Sequence, residues 1–103
     1  MTVSVKQIKI LQSHHEMIKK IAQENKELVQ DICTKAIEKF VVRRESHQGV
    51  YLEYLSSPSE GQYQSYWLDQ DSIQYVKKIS TIDNTSENRV LYTALFQYLQ
   101  THN

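Results

Sequence analysis

The chain has 103 residues, enough for one domain spanning 1–103, and its 12 basic and 12 acidic residues give a formal net charge of zero. This balance argues against a dedicated nucleic-acid-binding protein, which normally has a basic excess. The single cysteine excludes a disulfide-stapled secreted scaffold and indicates a reducing compartment. With no run of 18 apolar residues and no signal-peptide pattern at the start, we expect a cytoplasmic protein without a membrane segment.

The first region, residues 3–40, favours a long N-terminal helix. Apolar residues recur at helical spacing from Ile8 to Phe40, and no glycine or proline interrupts them. An unbroken helix here would be roughly 57 Å long at 1.5 Å per residue. That length exceeds a domain of this size, so either the helix breaks near Asn25 or a second copy covers the overhang.

A heptad can be laid over this region. Leu11, Ile18 and Asn25 fall at one seam position, and a single Asn at such a position sets the register of parallel dimers. The seam is therefore a candidate dimer contact, and the alternative is that one helix ends at Asn25 and another begins after it.

A third interpretation makes residues 2–11 a strand. Val3 with Val5, and Ile8 with Ile10, alternate locally as strand residues do. Ser13 and Glu16 would then form the capping box of a helix starting near His14.

The second region, residues 41–82, predicts a three- or four-stranded antiparallel meander. Its strands are expected at 40–44, 50–55, 62–68 and 73–79, separated by turns rich in glycine, proline, serine and aspartate. The fourth strand has an alternative, because Ile73, Val76 and Ile79 also fit a helix over 73–82.

The third region, residues 84–101, predicts a C-terminal helix that is apolar around most of its circumference. Tyr92, Phe96 and Leu99 follow at i, i+4 and i+7, and such side chains seldom stay in water in a monomer. We expect this stripe to contact a second copy unless the first helix covers it. The fold class is then α+β.

Aromatic residues on the predicted strands form a second candidate interface. Tyr51, Tyr63 and Trp67 would point away from a sheet that is covered by helices on one face. Tyrosine and tryptophan are enriched at protein interfaces, so these three residues are candidate partner or dimer contacts.

No pattern predicts a catalytic, cofactor-binding or metal site. His14 and His15 are adjacent, so on a helix they point about 100° apart and would not chelate one ion. Residues 69–71 lack the glycine and glutamate of a calcium loop. Cys33 lies on an apolar helix face, where a cysteine is usually buried and inert.

These features predict a small, non-enzymatic protein–protein interaction module that regulates, inhibits or escorts another protein. Its partners would be itself, as a homodimer, and an unidentified protein. One alternative is single-stranded nucleic-acid binding on the sheet face, with Arg43 and Arg44 on one strand and Lys77 and Lys78 on another. The other is a small ligand-binding or enzymatic domain with a pocket between sheet and helix.

Overall fold

A computed structural model describes residues 3–46 and 53–102, and within them the chain is α+β. In this part of the chain, two strands form one antiparallel sheet, and four helices pack on the side of its inner face. In chain order the elements are β1 (Val3–Ile10), α1 (Gln12–Glu24), α2 (Val29–Glu45), β2 (Gln62–Asp69), α3 (Gln70–Ile82) and α4 (Glu87–Thr101).

The prediction of one long N-terminal helix is wrong, and the strand interpretation of its first residues is right. β1 occupies 3–10, and α1 begins after Leu11 without a side-chain cap. The Ser13–Glu16 capping box is not formed; the Glu16 carboxylate accepts a hydrogen bond from the Gln12 amide at 2.8 Å instead.

The helical region also breaks at the polar run around Asn25. Asn25 is the C-cap of α1, and Lys26 follows in the left-handed region with a φ of 55°. The next helix begins after Leu28, whose backbone N–H donates to the Asp31 carboxylate at 2.9 Å. The continuous helix that the heptad seam required is therefore absent.

The meander prediction is wrong in number of strands: of its elements within the described residues, only the strand at 62–68 is confirmed, as β2. Residues 40–44 continue α2, because Phe40 and Arg44 extend its buried face. Residues 73–79 lie in α3, where Ile73, Val76 and Ile79 form the buried stripe that their helical spacing allowed. The predicted turn at 47–49, and Tyr51, lie outside the described residues.

The two remaining helix starts depend on local side-chain caps. Asp69 ends β2 and accepts a hydrogen bond from the Ser72 backbone N–H at 2.8 Å, so the predicted hairpin loop is a helix cap. Ser86 caps α4 by accepting from the Arg89 N–H at 3.1 Å. The C-terminal helix is confirmed as an element, with its first turn at Glu87.

The core lies between the sheet and α4, which is buried on nearly all sides. In the sheet, β1 and β2 run antiparallel from the pair Val3–Asp69 to the pair Ile10–Gln62. The largest fully buried side chains come from both strands and from each helix: Ile8, Ile10, Ile18, Ile32, Ile37, Phe40, Tyr66, Leu68, Val76, Val90, Leu91 and Leu95.

Candidate interaction surface

The two faces of the β-ribbon differ in what covers them. Side chains alternate between the faces along each strand. Tyr66 and Leu68 of β2 point inward and are fully buried, whereas Tyr63 and Trp67 point outward and are 66% and 52% exposed. The outward residues of both strands are called the outer face below: Val3, Val5, Gln7, Lys9, Tyr63, Ser65 and Trp67.

The strand register brings the large outer-face side chains into adjacent pairs. Val5 lies directly opposite Trp67, and Lys9 lies directly opposite Tyr63. The Lys9 ammonium is 5.7 Å from the centre of the Tyr63 ring, a cation–π distance. The outer face therefore has an apolar end, a polar middle and a cationic aromatic end.

Polar contacts on the inner side hold the ribbon in this orientation. The Tyr66 hydroxyl lies 2.7 Å from Nδ1 of His15 in α1. Burial lowers the pKa of His15 and raises that of Tyr66, so the neutral form of each ring is favoured. On the neighbouring strand, Lys6 forms an ion pair with Glu87 of α4 at 2.5 Å. A rotation of the ribbon that buried the outer face would break both contacts.

The structure does not place the other predicted interface residues beside Tyr63 and Trp67. Tyr92 and Leu99 are buried within the chain, and Phe96 is half-buried, with the His14 ring edge-on at 5.6 Å. Their apolar surface is thus covered mainly from inside, by α1 among other elements.

The residues of the predicted heptad seam are also separated from the outer face. Ile18 is fully buried in α1, Leu11 is half-buried at the start of that helix, and Asn25 is exposed at its end.

The basic residues of the nucleic-acid alternative lie on helices, so their expected place on two strands is wrong. Arg43 of α2 donates to the Gln97 amide oxygen at 2.5 Å. Arg44 donates to both carboxylate oxygens of Asp83, at 2.9 and 2.6 Å. Lys77 and Lys78 are exposed on α3.

The Asp83 carboxylate also accepts from the Tyr54 hydroxyl at 2.5 Å, which completes a cluster of three side chains, the Arg44 cluster. The Arg44 guanidinium holds the pKa of Asp83 below its usual value. With its hydrogen bonds made inside the chain, this arginine stabilises the fold.

Two surface depressions are lined by described residues of helices α2 and α3. One of about 400 Å³ is lined by Glu38, Lys39, Val42 and Arg43 of α2. Another, of about 350 Å³, is lined by Asp71, Gln74, Tyr75 and Lys78 of α3. Each lies on the surface of a single helix.

The described residues were also compared with the requirements of a metal site and of a reactive cysteine. Across 3–46 and 53–102, no three His, Cys, Asp or Glu side chains are grouped so that they could hold a metal ion. Cys33 is buried, and burial raises the pKa of its thiol to about 12.

Sequence reasoning missed the β1 half of the surface, namely Val3, Val5 and Lys9. The signal was a change of phase: Val3 and Val5 occupy odd positions, whereas Ile8 and Ile10 occupy even ones. On one strand those two sets point to opposite faces, so both faces of β1 had to be partly apolar.

None of the helices within the described ranges is long and apolar enough to cross a membrane. No family model matches the chain, and no curated protein or solved structure matches it either.

Proposed function

We propose that this chain is a small, non-enzymatic protein–protein interaction module that binds through the outer face of its β-ribbon. The proposal rests on one observation: Trp67 and Tyr63 are more than half exposed on a strand whose inward residues Tyr66 and Leu68 are fully buried. Val5 beside Trp67 makes the exposed apolar surface continuous across both strands.

The composition of the outer face fits a protein partner. Tryptophan and tyrosine dominate the energetically important centres of protein interfaces because they bury a large ring and keep a polar group. Contiguous exposed apolar patches on soluble domains commonly mark such contacts. A partner covering Trp67 and Val5 would remove that surface from water.

Single-stranded nucleic acid is the competing ligand, because bases stack on exposed aromatic rings. Phosphate binding, however, needs several cations, and within the outer face only Lys9 is basic. Arg43 and Arg44 already hydrogen-bond to Gln97 and Asp83. We expect binding to single-stranded DNA or RNA no tighter than about 10⁻⁵ M at physiological salt, in the nonspecific range.

Affinity capture from the native cell tests this proposal with three baits. The wild-type chain should retain a partner protein, and Trp67→Ser should lose it. Tyr75→Ser is the matched control, because Tyr75 is 47% exposed but lies on α3. Equal capture by wild type and Trp67→Ser would contradict the proposed surface, and nanomolar binding of single-stranded DNA in a salt titration would contradict the proposed class of partner.

A further inference from the structure

Among the residues that the structure describes, the outer edge of β2 has backbone groups without a hydrogen-bond partner. The Gln7 carbonyl of β1 accepts from the Asn88 side chain of α4 at 3.3 Å, so it points away from β2. Gln7 and Ser65 therefore form a non-hydrogen-bonded pair, in which both residues direct their N–H and C=O away from the partner strand. By the alternation of the ladder, the same holds for Tyr63 and Trp67.

The outward-directed backbone groups of the two strands differ in their hydrogen-bond partners. On the β1 edge, the Asn88 amide in the first turn of α4 donates to the Gln7 backbone carbonyl. On the β2 edge, no group in 3–46 or 53–102 hydrogen-bonds to the backbone of Tyr63, Ser65 or Trp67. Within those ranges, the outward-directed N–H and C=O groups of these three residues are therefore unpaired.

Residues 61–68 lack the features that usually protect a sheet edge. Natural edges are blunted by lysine, proline, bulges or a short strand. This segment has no charged residue and no proline, and β2 pairs with β1 without a bulge over eight residues. Because the segment is uncharged, a second copy of it meets no like charge, so the edge is electrostatically compatible with itself.

The dimensions of the ribbon favour pairing at the edge over stacking of two outer faces. Two strands of eight residues give a footprint of roughly 27 by 10 Å. That is about a third of the 800 Å² that each partner contributes to a standard interface. Strand addition depends less on area, because main-chain hydrogen bonds supply much of the affinity.

We infer that β2 pairs antiparallel with β2 of a second copy about a two-fold axis at Ser65, giving a four-stranded sheet in the order β1-β2-β2-β1. The inference goes beyond the proposed function, because it concerns the backbone edge of β2 and not the outer face of the ribbon.

The register follows from the outward-directed residues. Centring the axis on Ser65 places Tyr63 opposite the partner's Trp67, and Trp67 opposite the partner's Tyr63. About six main-chain hydrogen bonds would form, two for each pair. A shift of the axis by one residue toward Trp67 would keep an overlap of the same length but put Tyr63 opposite the partner's Asp69, away from any aromatic ring. Only the Ser65 register joins all four aromatic rings into pairs, which stabilise antiparallel strands.

Light scattering at up to about 100 µM tests the assembly, because an interface of this size lies at the weak end of the range. Wild type should show twice the monomer mass of 12.2 kDa. Ser65→Lys should give a monomer with unchanged far-UV circular dichroism, since it places two lysines opposite each other at the axis. Gln7→Lys is the matched control: it adds the same charge to the same face, one strand further from the axis, and should remain dimeric.

Cysteine crosslinking checks the register directly. Opposed residues of a hydrogen-bonded pair have Cα atoms about 5.5 Å apart, within disulfide range. Ser65→Cys should form a covalent dimer under mild oxidation, and Gln7→Cys should not. The native Cys33 does not interfere, because it is buried.

The outcomes separate this inference from the proposed function. A monomeric wild type that still captures another protein through Trp67 would overturn the pairing of copies and leave the proposed function intact. Equal dissociation by Ser65→Lys and Gln7→Lys would indicate stacking of outer faces and would also overturn the edge pairing. A dimer crosslinked at Ser65 whose capture of partners is indifferent to Trp67 would support the pairing and contradict the proposed surface.

Discussion

The Arg44 cluster and the outer face of the ribbon show opposite relations between chemistry and burial. The cluster places a charge in the interior: the side chains of Arg44 and Asp83 are only 11% and 5% exposed. The outer face places aromatic rings in water, with Tyr63 and Trp67 more than half exposed. Both arrangements run against the usual distribution of polar and apolar residues.

The difference lies in whether each group finds its partner inside the chain. Arg44 donates two hydrogen bonds to Asp83, and Tyr54 donates a third, so the buried charge is compensated. None of the described helices or strands covers Tyr63 and Trp67, although Lys9 lies over the Tyr63 ring. The polar groups of the cluster therefore make their hydrogen bonds inside the chain, whereas the aromatic rings of the outer face are exposed to solvent.

Removal of the Asp83 carboxylate should have the largest effect on stability. Asp83→Ala leaves the Arg44 guanidinium buried without its counter-charge, and such changes cost about 3 kcal/mol or more. Urea denaturation measures the free energy of unfolding, with Glu38→Ala, an exposed acidic position on α2, as the control. A loss of less than about 1 kcal/mol in the free energy of unfolding would show that the cluster is solvated. It would contradict the contrast drawn between the buried cluster and the exposed outer face.

Substitution of Gly61 should cost about 1–3 kcal/mol by crowding the start of β2. A Cβ atom at this position would lie 3.0 Å from the carbonyl carbon and oxygen of Ile10, which are backbone atoms. Gly61→Ala should therefore lower the urea midpoint, whereas Ser59→Ala in the same loop should not. Unchanged stability of Gly61→Ala would mean that the two strands separate easily at this end.

Acid should destabilise the fold by protonating the Asp83 carboxylate. The hydrogen bond from Arg44 lowers the pKa of Asp83 in the folded chain below its unfolded value near 3.9. The stabilisation is therefore complete above that value and is lost as the pH falls through the folded pKa. Asp69, whose pKa is lowered chiefly by the Ser72 backbone N–H, contributes in the same window.

Denaturation between pH 7 and pH 2.5 measures this dependence. Asp83→Asn should show a shallower loss of stability than wild type below about pH 4, with the remainder assigned to Asp69. Identical slopes would mean that the ionised Asp83 is no better stabilised in the folded chain than in the unfolded one.

Truncation on the outer face should have the smallest effect on stability. Trp67→Ser should change the free energy of unfolding of the monomer by less than about 0.5 kcal/mol, because exposed substitutions rarely do more. Leu68→Ala, the next residue but on the buried face, should cost about 2–5 kcal/mol. Similar costs for the two variants would show that Trp67 supports the fold and would remove the contrast between the faces.

Local patterns predicted several parts of the fold. The strand at 62–68 alternates, and the C-terminal helix has helical spacing together with a capping serine, so tertiary contacts reinforced what the local sequence favoured. Tyr63 and Trp67 were identified for the same reason, since alternation alone separates them from Tyr66 and Leu68. The strand prediction for 40–44 was wrong because burial of Phe40 and Arg44 against the core outweighed the strand preference of two valines.

The sequence by itself determined the α+β class and the alternation of β2, since these depend on neighbouring residues, whereas it left open whether the helical region breaks at Asn25. Only the tertiary structure decided that β1 pairs with β2 across more than 50 residues, that Arg44 meets Asp83, and that α1 covers part of the α4 stripe. The physical reason is that a local pattern specifies which side of an element is apolar. Which element covers that side depends on contacts between distant segments, and the outer face of the ribbon is the side that none of the described elements covers.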